Sequence, residues 1–99
     1  MITNSITGVI SEMSDETFVT TKTGAKFPKR DIVVREFGER ENTELPVTFT
    51  GNRAGLPEGF AVGDTVTVNF DIRTRKWIDG NAKHRIAIRA EGWRIEPAD

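Results

Sequence analysis

The stretch TVTVNFDIRTR, residues 65–75, decides the fold class of this chain. Its apolar residues fall at every second position: Val66, Val68, Phe70 and Ile72. The positions between them are all polar or charged. An alternation with a period of two predicts a β-strand with one face in the core and the other face in water or against a ligand.

The same period recurs on both sides of this stretch, and glycine and proline residues separate the strands. Gly63-Asp64 predicts a turn before this stretch, in which Gly63 supplies the unusual backbone angle and Asp64 caps the turn, and Asp79-Gly80 predicts a hairpin turn after it. Gly92 lies where the apolar phase of the last strand switches, and such a switch requires a bulge. No segment predicts an amphipathic helix of useful length. The predicted strands are 5–13, 17–22, 27–37, 45–50, the stretch from residue 65, and 84–96.

The strand at 17–22 forms a meander that leads into 27–37, so we count the two together as the second of five main strands. Five such strands predict an all-β barrel of the oligonucleotide-binding (OB) type. We expect a five-stranded Greek-key barrel with a short plug between strands 3 and 4, in which Leu56, Phe60 and Val62 fill one end. An SH3-like barrel or a small open sandwich also fits the periodicity. The length predicts that residues 1–99 form a single domain.

The composition excludes several kinds of site. The chain has no cysteine, which rules out disulfides, thiolate catalysis and Cys-ligated zinc, and His84 is its only histidine. It has no phosphate-cradling glycine loop, nucleophile elbow or paired acid–base set. We therefore predict no enzymatic activity, no metal and no cofactor. The first five residues do not resemble a signal peptide and no apolar run is long enough for a membrane span, which predicts a cytoplasmic protein.

Charge is sorted into blocks along the chain, although the net charge is only −1. Residues 22–35 hold five basic side chains and one acidic, and residues 73–94 hold seven basic and two acidic. Charge sorted in this way predicts a basic face formed by two distant segments. The candidate nucleic-acid-binding residues of these segments are Lys26, Lys29, Arg30, Arg35, Arg73, Arg75, Lys76, Trp77, Lys83, Arg85 and Arg89.

Four stretches carry a resemblance to a known family: KRDIVV at 29–34, LPVTF at 45–49, VGDTVTVNFDIR at 62–73 and GWRIE at 92–96. In this order they resemble a family of small bacterial and phage-related OB-fold proteins of unknown function, which is similar to single-stranded DNA-binding proteins. The likeness spans about residues 5 to 96. The chain departs from the pattern in its breaker-rich plug, and at 81–85 it lacks an aromatic pair.

The resemblance implies a non-enzymatic single-stranded DNA-binding protein acting in DNA replication, recombination or repair. OB barrels commonly bind through strands 2 and 3 and through the loops joining strands 1–2 and 4–5. Trp77 lies near a hairpin tip, where little of the core is close enough to bury its ring, so a base could stack on the ring. The alternative is that the ring folds back over the stem of Arg75 or caps the end of the barrel.

Two other function classes stay open. A protein-interaction or oligomerisation module could pair through the threonine-rich edge at 17–22, and a homodimer or higher oligomer would follow. An RNA-binding barrel usually displays several surface aromatic residues. This chain has no tyrosine and offers only Phe18, Phe27 and Phe37 in that role.

Overall fold

The structure is a computed structural model that describes residues 2–36 and 43–98, with side chains from Asn4 onward. Phe37 and the residues that follow it, 38–42, lie outside the described residues. The elements are β1 (Ile2–Met13), β2 (Thr17–Thr20), β3 (Lys26–Glu36), β4 (Thr43–Thr50), the 3-10 helices η1 (Gly51–Arg53) and η2 (Leu56–Gly59), β5 (Thr65–Ile78) and β6 (His84–Pro97). In the described part of the chain no helix is long and apolar enough to cross a membrane.

The strands form one sheet that closes on itself. Its order is β1-β5-β6-β4-β3-β2, and β1 also pairs with β3. The contact between β4 and β6 is parallel and short, with Val47 opposite Ala90 and Thr48 opposite Glu91. All other pairings are antiparallel. This is the predicted OB barrel, with β2 added to it as a short hairpin partner of β3.

The core lies inside the barrel and follows the alternation in the sequence. Ile10, Val34, Val47, Phe49, Val66 and Val68 are fully buried. Ile6, Ile32, Phe70 and Ala90 complete this cluster with only slight exposure, and Ile72 and Ile95 pack against it. Every strand that closes the barrel therefore contributes apolar side chains from its inward face.

Two glycines permit close packing that any side chain would prevent. A Cβ atom at Gly92 would overlap the ring of Phe49, and one at Gly8 would overlap the carbonyl of Arg35 where β1 approaches β3. The register of β6 shifts at Gly92, because Phe70 pairs with Gly92 and Asn69 pairs with Arg94. The predicted bulge is confirmed, with Trp93 as its extra residue.

The plug between β4 and β5 differs from the prediction. Leu56 is 39% exposed and Val62 is 60% exposed, so neither fills the barrel end. Ala54 and Pro57 are buried there, and Phe60 packs against the core. The reason is the period of the 3-10 turns, about three residues, which brings residues three apart to one side. Ala54, Pro57 and Phe60 are spaced three apart and face the barrel, whereas Leu56 does not share this spacing and points outward.

The turn before β5 has the predicted form. Gly63 has a φ of 100°, which favours glycine, and the Asp64 carboxylate accepts a hydrogen bond of 2.9 Å from the Ala61 N–H. The turn fixes where the decisive alternating strand begins.

Candidate nucleic-acid interface

The outer halves of β5 and β6 leave the barrel as a two-stranded arm. Ile72 pairs with Ala90 at the barrel wall, and the pairing then continues from Arg73–Arg89 to Ile78–His84. All the side chains of these six outer pairs are exposed. We call residues 73–89 the arm and the rest of the chain the body.

The arm carries a net positive charge, whereas the body carries a net negative charge. The arm contains six basic residues and one acidic residue, a net charge of +5. The body holds the other 8 of the 14 basic residues and 14 of the 15 acidic residues, a net charge of −6. A molecule with this charge distribution attracts polyanions to the arm and repels them from the body.

One face of the arm is basic and carries Trp77. Residues directly opposite each other in a sheet share a face, so the pairs Arg73–Arg89, Arg75–Ala87 and Trp77–Arg85 lie together. We call these six residues the basic face. The guanidinium carbon of Arg75 lies 5.5 Å from the centre of the Trp77 ring, a cation–π distance. Trp77 nevertheless remains 41% exposed, so the contact with Arg75 leaves part of the residue accessible.

Three arginines of the basic face have carboxylate partners. Glu91 pairs with Arg73, at 3.0 Å from Nε, and also with Arg89. Arg85 donates a hydrogen bond of 2.8 Å from Nε to Asp79. These pairs are solvent-accessible on their arginine side, and exposed ion pairs contribute only about 0–1 kcal/mol. A phosphate can therefore replace the carboxylate at little expense in free energy.

Asp79 organises the tip of the arm. Its carboxylate accepts hydrogen bonds from the Asn81 N–H at 2.9 Å and the Lys83 N–H at 3.1 Å, in addition to the bond from Arg85. Arg85 first, and then the two backbone donors, lower the pKa of Asp79 below its ordinary value of 3.8. Ala82 has a positive φ of 58° in this turn. The tip thus places Lys83 on a defined turn and holds the Arg85 side chain of β6 beside it.

The basic residues of β3 do not form one group. Lys29 and Arg35 share the outer face of the strand, whereas Lys26 and Arg30 have the phase of the core residues Ile32 and Val34. The Arg30 side chain is only 15% exposed and lies 3.9 Å from Glu58. Its Nε has no hydrogen-bond partner among the residues that the structure describes.

A row of acidic residues crosses the outer face between the two basic segments. Asp31 is opposite Thr48, Thr48 is opposite Glu91, and Glu91 is opposite Asp71. Thr48 donates a hydrogen bond of 2.7 Å to Asp31, and Lys29 lies 3.7 Å from the same carboxyl group. The expectation of one basic surface formed by both segments is therefore not met. Each of these acids sits in sequence among residues of opposite charge, and only the register of four strands aligns them.

The candidates thus fall into three groups: the residues of the basic face, two lysines elsewhere on the arm, and the four basic residues of β3. The basic face gathers Arg73, Arg75, Trp77, Arg85 and Arg89. Lys76 lies on the opposite face of the arm, across from Ile86, and Lys83 lies in the tip. Among the described acids none lies within ion-pair distance of Lys26, Arg35, Arg75, Lys76 or Lys83. The same part of the chain contains no cluster of three or more His, Asp or Glu residues suited to a metal ion.

The fold and the arm define a small OB-fold protein that projects a charged hairpin. A family model described as a domain of unknown function (DUF3127) matches residues 5–96, so the chain belongs to that family. No curated protein matches the chain in sequence. Among solved structures, it is similar to Rim1, the mitochondrial single-stranded DNA-binding protein of S. cerevisiae, with a TM-score of 0.69 and 15% identity over 97% of this chain and 93% of that one. This likeness shows the shared OB fold.

Proposed function

We propose that this protein binds single-stranded DNA through the basic face of the arm, without catalysing a reaction, in DNA replication, recombination or repair. The observation that carries the proposal is the concentration of +5 charge around an exposed tryptophan on a protruding hairpin. The likeness of the fold to a single-stranded DNA-binding protein supports it. The cytoplasmic location stays a prediction.

The basic face offers both kinds of contact that single strands need. Its guanidinium groups can hold successive phosphates, and the accessible part of Trp77 can stack on one base. Arg75 lies over the Trp77 ring and sets its orientation. Glu91 and Asp79 hold Arg73, Arg89 and Arg85 in place until phosphates take over as partners. Guanidinium and indole groups bind nucleic acid but are poor nucleophiles and poor proton carriers, so we assign no reaction to this face.

The β3 residues have a secondary part in this proposal. Lys29 and Arg35 face outward on either side of Asp31 and Val33, and a strand that leaves the arm could reach them only past the acidic row. Arg30 is held inward near Glu58 and Lys26 lies at the start of β3, so we give neither a direct contact in this arrangement. We expect substitutions in β3 to affect affinity less than substitutions in the arm.

The test is an oligo-dT titration that follows the tryptophan fluorescence at low and at moderate salt. We expect quenching, and an affinity that falls linearly with salt on a log–log plot. The variant R73A/R75A should bind more weakly, with a salt slope lower by about 1 for each phosphate contact removed. The control K22A/R53A removes the same charge from the body and should bind as well as the wild type.

Two results would overturn the proposal. One is the absence of quenching and of any shift of labelled DNA at low salt. The other is an equal loss of affinity in both double variants, which would mean that net charge matters and the arm does not. A parallel titration with oligo-U of equal length tests RNA as the partner, and tighter binding of oligo-U would overturn the choice of DNA.

A further inference from the structure

The second face of the arm carries three exposed isoleucines. Its three cross-strand pairs are Thr74–Ile88, Lys76–Ile86 and Ile78–His84. Ile78 is 63% exposed, Ile86 is 59% exposed and Ile88 is 73% exposed. We call these six residues the isoleucine face. It continues the inward face of the barrel strands, because Phe70 and Ile72 of β5 have the same phase as Thr74 and Ile78.

Nothing in the described part of this chain covers the isoleucine face. The arm is a ribbon of two strands, and a two-stranded ribbon with water on both sides is only marginally stable by itself. Its basic face gains from water and from anions, but three exposed β-branched apolar side chains on the other face do not. A contiguous apolar patch of this kind marks an interaction surface.

We propose that the isoleucine face packs against the same face of a second copy of this chain. The two arms would stack as a small two-layered sandwich around a two-fold axis near Ile86, the residue in the central of the three pairs. Each basic face would then point outward, away from the other copy. This inference is independent of the proposed function, because it uses the opposite face of the arm.

The distribution of side chains favours a second copy over other occupants. A two-fold interface needs a surface that complements itself, and this face can pack against itself because both of its strands carry isoleucines, Ile78 on β5 and Ile86 and Ile88 on β6. Stacked sheets lie about 10 Å apart, and the arginines extend outward from both layers. The arginines of the two copies are therefore separated by more than the Debye length of about 8 Å at physiological ionic strength, and salt screens their repulsion. The stem of Lys76 can pack while its ammonium group reaches water.

Two other classes of partner fit the face less well. Nucleic acid would place bases on aromatic rings and phosphates on guanidinium groups, and these lie on the basic face. A lipid surface would favour tryptophan beside the isoleucines, but Trp77 is on the other side. Ile88 also lines a groove of about 200 Å³ together with Leu45 and Pro46 of β4, which a flat bilayer cannot follow.

The size of the face predicts how strong the association is. Six residue pairs make a ribbon about 20 Å long and about 10 Å wide, or about 200 Å² in projection. A standard stable interface removes about 800 Å² of accessible surface from each partner. The arms alone fall short of this, even with the groove beside Leu45. We therefore expect a dimer that dissociates on dilution.

A pair of single-cysteine variants tests which face is buried. The chain has no native cysteine, so each variant carries one thiol. Ile86→Cys lies on the isoleucine face, and its neighbour Ala87→Cys lies on the basic face. With a short bismaleimide, which bridges two thiols across the spacing of about 10 Å between stacked sheets, we expect Ile86→Cys to form a covalent dimer and Ala87→Cys to form none. Equal cross-linking of both variants, or none in Ile86→Cys, would overturn the proposal.

Sedimentation velocity provides the equilibrium test. We expect the dimer fraction of the wild type to rise with protein concentration and with added sulfate, which strengthens apolar burial and screens the repulsion between arms. The variant I86T/I88T keeps β-branched side chains, but we expect the dissociation constant of its dimer to rise by roughly tenfold or more. A wild type that is monomeric at every concentration, or a double variant that dimerises normally, would overturn the proposal.

The outcome separates this inference from the proposed function. DNA affinity must fall with salt while dimerisation must rise with it. Loss of the dimer with DNA binding retained in I86T/I88T supports both assignments, whereas a dimer that binds no DNA overturns only the proposed function. Sedimentation of the wild type with anionic phosphatidylserine vesicles, lost in I86T/I88T, would assign the face to a lipid surface and overturn the second copy as its partner.

Discussion

The hairpin of β5 and β6 contains two halves with the same residue pattern and opposite environments. In the barrel half, Val66 and Val68 are fully buried. In the arm half, Ile86 and Ile88 follow the same alternation and are mostly exposed. The difference teaches that alternation determines which side chains share a face, while burial depends on whether a second layer lies over that face.

The largest expected effect separates the two halves by stability. Phe49→Ala removes a fully buried ring that packs beside Gly92, and we expect the free energy of unfolding to fall by about 3–5 kcal/mol. Ile88→Ala in the arm should change it by less than about 0.5 kcal/mol in dilute protein. Urea unfolding followed by circular dichroism measures both, and similar losses in the two variants would break the comparison.

The next effect concerns the tryptophan of the arm. We expect Trp77→Ala to weaken oligo-dT binding by about 1–3 kcal/mol, because one stacked base loses its platform. Fluorescence anisotropy of labelled DNA measures the affinity without relying on the removed ring. Trp93→Phe, at the bulge in the barrel half, is the control and should bind normally. Unchanged affinity of Trp77→Ala would remove base stacking from the proposed site.

A smaller effect is expected at Glu91, the acidic partner of two arginines of the basic face. Glu91→Gln releases Arg73 and Arg89 from their shared carboxylate and removes one negative charge from the foot of the arm. We expect DNA affinity to rise by roughly 0.5–1 kcal/mol, about two- to fivefold. Glu96→Gln makes the same charge change beside Arg94 in the body and should have less effect. A fall in affinity would mean that Glu91 mainly orients the arginines for DNA.

The smallest effect is the pH dependence of the arm tip. The folded state lowers the pKa of Asp79, so its contribution to stability is fully present above the ordinary value of 3.8 and is lost as the pH falls through the lowered pKa. Because Asp79 lies in the tip of the arm, beyond the last strand pair and away from the barrel core, we expect a local change in the turn with the barrel intact. An NMR titration of Asp79 and of the Asn81 and Lys83 amides measures this change. A barrel that unfolds together with the tip would contradict it.

The sequence predicted the barrel well because its evidence is local. The alternation at 65–75, the Gly63-Asp64 turn, the Asp79-Gly80 hairpin and the bulge at Gly92 each depend on a few neighbouring residues, and each is confirmed. The plug failed because its side chains are selected by the period of 3-10 turns and by the space inside the barrel. Pro57 fills that space, whereas the more apolar Leu56 faces outward.

The candidate site was predicted in part. The basic residues of the arm could be named from charge alone, since they lie close together in sequence along one hairpin. Their division into two faces follows from the cross-strand register, which separates Lys76 from Arg75. The acidic row from Asp31 to Asp71 joins residues of β3, β4, β6 and β5 and leaves no trace in any single stretch of sequence.

By itself, the sequence determined the strands, their turns and the positive charge of the arm, because backbone geometry and side-chain type act over a few residues. The tertiary structure alone decided that an acidic row divides the two basic segments, that Arg30 faces inward beside Glu58, and that three isoleucines lie outside the core. These outcomes depend on which strands become neighbours and on where the barrel ends. Both are set by closure of the sheet, which brings together residues that are far apart in the chain.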